Sequence, residues 1–139
     1  MKQAGVMLVI KDGLILGITR RSDHTKYGLP GGKFDSAIDK TVVDAAIRET
    51  LEETGLKVTH CAEIYKRVEL GDGPTGEDFY STCFYAVSWN GVPRDSEEGN
   101  VAWLTPEEVT CSKAAFGDYN RKTLDVFKTM FPHVHLHGE

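Results

Sequence analysis

Apolar runs near the start of the chain predict two neighbouring strands. Residues 6–10, Val-Met-Leu-Val-Ile, form a continuous apolar segment of the kind found in buried strands. The turn signal Lys11-Asp12-Gly13 follows, and residues 14–20 predict the second strand. Further runs rich in apolar, β-branched and aromatic residues predict strands at 58–68, 79–89 and 101–104.

The strongest helix pattern lies in residues 38–55. Apolar residues recur there at four-residue steps and so share one helical face: Val43, Ile47 and Leu51. We expect Asp39 to cap the start of this helix and Gly55 to follow its last turn. Two more helices are predicted near the end of the chain, a short one capped by Thr105 and another over residues 119–130.

Polar and glycine-rich segments predict the connections between these elements, at 21–27, 28–32, 70–77 and 90–100. No repeat or low-complexity segment interrupts the series, so we expect residues 1–139 to form a single domain. Residues 132–139 are predicted to be a frayed tail. Its alternating His133, His135 and His137 are interpreted as part of that tail and not as a metal site.

Composition narrows the class of protein. The 139 residues are 40% hydrophobic and 27% charged, a balance typical of globular domains and not of membrane, fibrous or disordered chains. Sixteen basic and 21 acidic residues leave a formal net charge of −5, which disfavours nucleic-acid polymers and anionic membranes as partners. Three widely spaced cysteines and the lack of a signal-peptide pattern favour the cytoplasm as the location.

One turn of the main predicted helix gathers three carboxylates. On a helical wheel, Glu52 and Glu53 lie about 60° to one side and about 40° to the other side of Glu49. Like charges at this spacing repel, and the helix dipole disfavours anions near the C-terminal end. A hard divalent cation offsets both penalties, and carboxylate oxygens suit Mg²⁺ or Mn²⁺. A solvated acidic face is the alternative, but Arg48 and the glycine-rich segment upstream favour a metal and phosphate site.

Two segments of the chain resemble the box motif of the Nudix family: Leu29-Pro30-Gly31-Gly32-Lys33 and Arg48-Glu49-x-x-Glu52-Glu53-x-Gly55-Leu56. Members of that family hydrolyse nucleoside diphosphates linked to another moiety. The order of elements and the segment Trp103-Leu104-x-Pro106-Glu107-Glu108 extend the resemblance along the chain. The resemblance implies the α/β (α+β) class, with an α–β–α sandwich around a mixed β-sheet and the box as a loop–helix–loop.

The chain departs from the family pattern at the first glutamate of the box. The family has a glycine, five residues, Glu, seven residues and then Arg-Glu. Here the same count leads to Ile38, and nine residues separate Ile38 from Arg48. The first glutamate is therefore missing and this part is two residues longer, so Asp35 and Asp39 are the candidates to replace it. Thr50 also stands where an apolar residue is usual.

By this resemblance the acidic cluster holds the metal used in catalysis. The implied metal ligands are Glu49, Glu52, Glu53 and Gly32, and Arg48 orients a carboxylate. Family members often add a carboxylate from a loop outside the box, for which Glu97 and Glu98 are the candidates. The implied catalytic residues are Arg48, Glu49, Glu52, Glu53 and Glu98. The identity of the general base stays open among Glu52, Glu53 and the loop acids.

Ile18-Thr19-Arg20-Arg21, followed by a polar loop and Pro-Gly-Gly, is similar to the MutT-like branch, whose members remove pyrophosphate from nucleoside triphosphates, oxidised ones included. Arg21 and Asn120 match positions near the base pocket of that branch, although a surface charge and a helix cap are their simpler interpretations. The expected substrate-binding residues are Arg21, Tyr27, Gly31, Gly32, Lys33 and Asn120. Phe79 and Tyr80 are further candidates for stacking on a base, although strand aromatics more often belong to the core.

The predicted activity is therefore Mg²⁺-dependent hydrolysis of a nucleoside triphosphate, unmodified or oxidised, to a monophosphate and pyrophosphate. The partner is a small nucleotide, and the protein is expected to be a monomer or a homodimer. A hydrolase of ADP-ribose or of another nucleoside-diphosphate-linked metabolite is one alternative, although Pro74 lies slightly too far beyond the box for the ADP-ribose subgroup. A non-catalytic nucleotide-binding module and an acidic protein-interaction domain are the others.

Overall fold

The computed structural model describes residues 2–69 and 76–139. Most of the loop predicted at 70–77, including Pro74, lies outside the described residues. The elements, in chain order, are β1 (Lys2–Leu8), β2 (Ile10–Lys11), β3 (Leu14–Arg20), β4 (Asp23–Gly28), β5 (Gly31–Lys33), α1 (Val42–Thr54), β6 (Lys57–Glu69), β7 (Phe79–Asn90), β8 (Val101–Leu104), α2 (Pro106–Thr110) and α3 (Gly117–Met130).

Within the described ranges the strands form two four-stranded sheets. The first has the order β5-β1-β7-β6, in which β1 and β7 are parallel and the other pairings are antiparallel. In the second, β3 pairs antiparallel with β2, β4 and β8. This mixture of parallel and antiparallel pairing confirms the predicted mixed β-sheet.

Alternating side chains of the central strands supply two apolar layers. Met7 and Val9 belong to the cluster that includes Ala46 of α1, whereas Leu8 belongs to the cluster that includes Phe127 of α3. Because successive strand residues point to opposite faces, one strand serves both layers. Helices therefore cover both faces, as the α–β–α sandwich predicts. None of the helices in the described ranges is long and apolar enough to cross a membrane.

The main helix begins later than its pattern predicts. Thr41, and not Asp39, is the N-cap: its hydroxyl accepts a hydrogen bond from the Asp44 N–H, and the Asp44 carboxylate accepts one from the Thr41 N–H in return. Asp39 is buried and binds Arg48 instead, which removes it from the cap. At the other end Gly55 adopts the left-handed conformation, as predicted, with φ of 84°.

Two segments predicted as loops contain strands. β4 pairs antiparallel with β3, but its residues from Asp23 to Lys26 are exposed, so no apolar alternation marks it. β5 consists of Gly31, Gly32 and Lys33 and pairs antiparallel with β1. A Cβ on Gly31 would lie 2.3 Å from the Gly5 carbonyl oxygen, so glycine permits this close pairing.

The C-terminal tail, expected to be frayed, packs against the domain. Leu136 is fully buried and joins the core cluster that contains Phe127. The His137 N–H donates to the Gly13 carbonyl oxygen at 2.9 Å, and Lys128 pairs with Glu139 at 3.2 Å. The prediction failed because a single apolar residue in a polar tail gives no periodic signal, although it fills a gap in a distant core.

Two threonines of α1 are fully buried but differ in hydrogen bonding. Thr54 Oγ1 donates to the Thr50 carbonyl oxygen at 2.7 Å and accepts from the Leu56 N–H at 3.2 Å. Thr50 Oγ1 has no partner among the described residues. A buried hydroxyl without a partner lowers stability, because its hydrogen bonds to water in the unfolded chain are not replaced.

We expect Thr50→Val to raise the free energy of unfolding by about 1 kcal/mol, since it replaces the unpartnered hydroxyl with a methyl group of similar size. Urea unfolding followed by circular dichroism measures this change. Thr54→Val is the matched control in the same helix and should lower stability, because it removes two made hydrogen bonds. Stabilisation of both variants to the same degree would contradict the assignment.

Leu136→Ala should lower the free energy of unfolding by about 3 kcal/mol, the loss typical of a leucine truncated in a core. The exposed His135 provides the control, since His135→Ala removes a side chain from the same tail without opening a cavity. Equal, small effects of the two substitutions on the urea midpoint would show that the tail is frayed after all.

Candidate functional site

A cavity of about 430 Å³ opens between the glycine segment, the first sheet and the start of α3, a volume within the range of small-molecule sites. Its lining comes from several parts of the chain. The box contributes Gly31, Gly32, Lys33 and Glu53. Strand residues in the lining include Lys2, Glu69, Phe79 and Ser81. The residues around the start of α3 contribute Phe116, Tyr119 and Asn120.

The three acids of α1 have different surroundings. Glu53 lines the cavity, and its Oε1 accepts a hydrogen bond from the Gly31 N–H at 3.0 Å. Glu49 lies directly behind Gly32, where an added Cβ would come within 2.6 Å of the Glu49 Cδ. Glu52 is exposed and outside the lining. The helix therefore brings Glu49 and Glu53 against β5, here called the glycine strand because it contains Gly31 and Gly32. The third predicted carboxylate, Glu52, stays exposed outside the cavity lining.

Arg48 holds this part of the helix through three carboxylates and one backbone carbonyl, that of Lys33. Its Nε and Nη2 each donate to a different oxygen of Asp39 at 2.9 Å, a bidentate pair with a buried partner. Its Nη1 donates to Glu49 at 3.1 Å and to Glu52 at 3.4 Å. Asp39 thus anchors the arginine from the two-residue-longer segment before the helix, and Asp35 instead donates its backbone N–H to Asp39 at 3.0 Å.

Burial and like charge raise the pKa of two of these acids. Desolvation raises the pKa of Glu53 to about 8, against the lowering effect of the Gly31 N–H, and nearby Glu49 and Glu98 raise it further. Burial also raises the pKa of Glu49, against the lowering effect of Arg48. The bonds from Arg48 lower the pKa of Asp39. A positive charge placed near Glu49 and Glu53 would therefore stabilise both as carboxylates.

The chemistry of this donor set fits a hard divalent cation. Glu49, Glu53 and the exposed Glu52 supply only oxygen atoms, and Gly32 leaves no side chain between Glu49 and the cavity. Among residues 2–69 and 76–139, no three His, Cys, Asp or Glu side chains are already grouped closely enough to hold an ion. Glu52 contacts Arg48 and lies outside the cavity lining.

The loop before β8 brings one of the two predicted loop acids to the cavity. Ser96 Oγ donates to the Glu53 carbonyl oxygen at 2.9 Å and the Arg94 N–H donates to that of Thr54 at 2.8 Å, which fixes the loop against the end of α1. Glu98 lines the cavity and pairs with Arg21 at 2.7 Å. Glu97 is exposed and outside the lining.

Two predicted base-contacting residues have structural partners. Asn120 lines the cavity but is almost fully buried, and its Nδ2 donates to the carbonyl oxygens of Val109 at 2.8 Å and Ala115 at 3.0 Å. Both amide hydrogens are used, so the paired donor and acceptor expected of Asn120 are reduced to one acceptor, Oδ1. Tyr27 packs against the core cluster and is outside the lining, so its expected stacking on a substrate is not supported.

The sequence patterns did not identify several residues of the cavity lining. Glu69 is buried and pairs with Arg67 at 2.8 Å, and Tyr119 lies beneath the Arg67 guanidinium at 5.2 Å. The alternation of side chains along β6 could have indicated these residues. Tyr65, Arg67 and Glu69 share one face of the strand, and two of the three are charged. Polar residues on a strand face that is otherwise core mark a cavity wall.

Phe116 was not identified either, because what distinguishes it is its backbone conformation, which no sequence pattern shows. Its backbone is left-handed, with φ of 57° and ψ of 41°, which is strained for an aromatic residue. The residue is 43% exposed and lines the cavity, and the Arg20 guanidinium lies 5.6 Å from the centre of its ring. Such strain tends to persist at binding sites.

Comparison with known proteins shows the family. The NUDIX domain model matches residues 1–127. A MutT-like protein of Streptomyces ambofaciens is 35% identical over 137 residues, which cover 96% of this chain and 80% of that protein. A Bacillus subtilis (strain 168) protein, provisionally named an 8-oxo-dGTP diphosphatase, is 26% identical over 92% of this chain and 86% of its own length.

A solved structure shows the same fold. The MutT NUDIX hydrolase of Burkholderia pseudomallei superposes with a TM-score of 0.73 at 23% identity, covering 90% of this chain and 96% of that one. The chain thus belongs to the NUDIX family, and it is an enzyme of the pyrophosphohydrolase class. The proteins that it resembles include MutT-like ones, as the resemblance of the box and of residues 18–21 predicts. Members of this family generally use divalent metal cations.

We expect Asp39→Asn to lower kcat by about tenfold or more, the loss typical when a residue that supports a ligand is changed. The amide weakens the bidentate pair, and Arg48 then turns fully toward Glu49 and Glu52. Steady-state hydrolysis assays measure kcat and KM, and Asp39→Glu should restore part of the rate.

Asp125→Asn is the matched control, because Asp125 is exposed on α3 and far from the box in sequence. Unchanged kcat in Asp39→Asn, with the fold intact by circular dichroism, would show that Arg48 does not depend on this carboxylate.

Proposed function

We propose that the protein hydrolyses a nucleoside triphosphate, unmodified or oxidised, to a nucleoside monophosphate and pyrophosphate. The observation that carries the proposal is the continuity of the cavity, which joins Glu53 and the glycine strand at one part of its lining to Phe79 and Phe116 at another. Phosphates need cations and backbone N–H groups, whereas a base needs aromatic faces. The Bacillus protein, whose provisional name is an 8-oxo-dGTP diphosphatase, supports the same substrate class.

The metal held by the acidic cluster is proposed to be Mg²⁺, with Mn²⁺ as the other candidate. Glu49, Glu52, Glu53 and Gly32 are the proposed ligands, with Glu98 completing the set from the loop. When bound, the cation neutralises phosphate oxygens and lowers the pKa of water. Arg48 holds Glu49 and Glu52 in place through the contacts of its Nη1.

Side chains of the protein are proposed to accept the proton of the attacking water and to bind the phosphates. Water attacks phosphorus, the bond to the bridging oxygen breaks, and the attacking water loses one proton. Of the proposed bases, Glu53 and Glu98 line the cavity and Glu52 does not, which favours the first two. Lys33 and Arg21 also line the cavity, where they pair with Glu77 and Glu98, and they are the cations proposed to exchange these partners for phosphate.

Glu53→Gln should reduce kcat by a factor on the order of 10², because it removes a carboxylate that serves the metal or the proton transfer. Release of pyrophosphate from a panel of nucleotides measures the effect, with EDTA treatment of the unaltered protein expected to abolish turnover. The panel contains unmodified and oxidised deoxynucleoside triphosphates, ADP-ribose and dinucleoside polyphosphates.

Glu107→Gln is the control, since Glu107 is an exposed acid on α2. Turnover that survives both EDTA and Glu53→Gln would refute the proposed metal site. Efficient hydrolysis of ADP-ribose alone would replace the proposed substrate, and nucleotide binding without turnover across the whole panel would favour a non-catalytic module.

A further inference from the structure

The proposed reaction makes no use of Glu69, a buried carboxylate in the cavity wall. Glu69 is 7% exposed, ends β6 and lies opposite Phe79 in the register of the sheet. On that face the residues change from apolar to polar along the strands: Cys83 belongs to the core, whereas Ser81 and Glu69 line the cavity. A buried carboxylate needs charged or hydrogen-bonding partners, and Glu69 has such a partner in Arg67 while also lining the cavity.

Arg67 holds Glu69 in a fixed orientation. The Arg67 Nε donates to Glu69 Oε1 at 2.8 Å, and its Nη1 donates to Asp118 at 3.0 Å on the first turn of α3. The guanidinium also lies over the Tyr119 ring. The arginine thus joins the sheet to α3 and fixes the carboxylate beside the aromatic ring, an arrangement that prepares both side chains to contact a ligand.

Tyr119 presents a hydroxyl beside this carboxylate. Tyr119 is 3% exposed and lines the cavity, and burial raises its pKa, so the hydroxyl keeps its proton. Ser81 lies close to the hydroxyl, but no group of the described residues meets it with full hydrogen-bond geometry. The cavity wall therefore combines one available O–H donor with a carboxylate acceptor. Asn120 adds at most a further acceptor, since both its amide hydrogens are taken.

Guanine matches this pattern better than the other bases. Its Watson–Crick edge carries an acceptor, O6, followed by two donors, N1–H and the N2 amino group. Adenine offers a donor amino group next to an acceptor nitrogen, so it would place an acceptor against the carboxylate. Phe79, opposite Glu69 in the register, lines the same cavity and offers a ring for the base to pack on.

We propose that Glu69 determines base specificity by accepting hydrogen bonds from N1–H and the N2 amino group of a guanine nucleotide, while the Tyr119 hydroxyl donates to O6. The inference rests on the proposed function and names the base of its substrate. Oxidation of guanine at C8 leaves this edge unchanged. Glu69 therefore recognises unmodified and C8-oxidised guanine alike, and discriminates against adenine.

The test compares kcat/KM for dGTP, dITP and dATP in the unaltered protein, Glu69→Gln and Tyr119→Phe. dITP differs from dGTP only by the missing N2 amino group. The unaltered protein should prefer dGTP over dITP about tenfold to a hundredfold, the usual discrimination of a paired polar contact. Glu69→Gln should remove most of this preference through KM and raise kcat/KM for dATP, because the amide no longer repels the acceptor nitrogen of adenine. The kcat/KM for 8-oxo-dGTP should fall as much as that for dGTP.

Glu63→Gln is the matched control, since Glu63 is an exposed acid on the same strand and outside the cavity lining. A purely structural role for Glu69 would lower kcat/KM for all three nucleotides equally, and that result would overturn the inference. If Glu69→Gln does not fold, Tyr119→Phe decides, because loss of the donor to O6 should weaken dGTP and dITP but not dATP.

Failure of the proposed function gives a different result from failure of the inference. Turnover without preference between dGTP and dITP overturns the inference and leaves the proposed function standing. If no nucleotide is hydrolysed, calorimetric binding of GMP, IMP and AMP decides instead. Preference for GMP that Glu69→Gln removes supports the recognition, and equal affinities overturn it.

Discussion

The structure depends on how α1 tolerates several carboxylates at its C-terminal end. Glu49 and Glu53 repel each other, are removed from water and lie where the helix dipole disfavours anions. Arg48 and the Gly31 N–H offset part of this repulsion from opposite sides. Asp39 in turn holds Arg48, so a residue outside the helix controls the charge balance within it. The unfavourable energy that remains is what a divalent cation, bound as proposed, would offset.

The glycine strand and the loop before β8 both pack against the C-terminal end of α1. β5 pairs with β1 closely enough that Gly31 admits no side chain, and the same approach brings Glu49 behind Gly32. The loop that carries Glu98 is fixed by bonds to the last carbonyl groups of α1. Backbone groups and carboxylates therefore reach the cavity together, which couples the fold of three separate segments to one charged site.

The opposite part of the cavity follows from a change of residue type along one sheet face. The strands that supply the core between the first sheet and α3 continue past it, where Ser81 and Glu69 replace apolar residues. Arg67 links that face to α3 and keeps the carboxylate oriented. A site with a charged end near the box and a polar, aromatic end near α3 suits a ligand that has phosphates at one end and a base at the other.

The sequence by itself determined the fold class, most of the strands, the three helices and the acids of the box, because apolar periodicity and motif spacing are local properties of the chain. It misjudged β4 and β5, the start of α1 and the tail, since exposed strands, glycine pairs and a single buried leucine carry no periodic signal. Only the tertiary structure decided that Asp39 binds Arg48, that the Asn120 amide donates both its hydrogens to backbone carbonyl oxygens, and that Glu69 faces the cavity. Those outcomes depend on contacts between residues far apart in sequence, whose geometry no local pattern encodes.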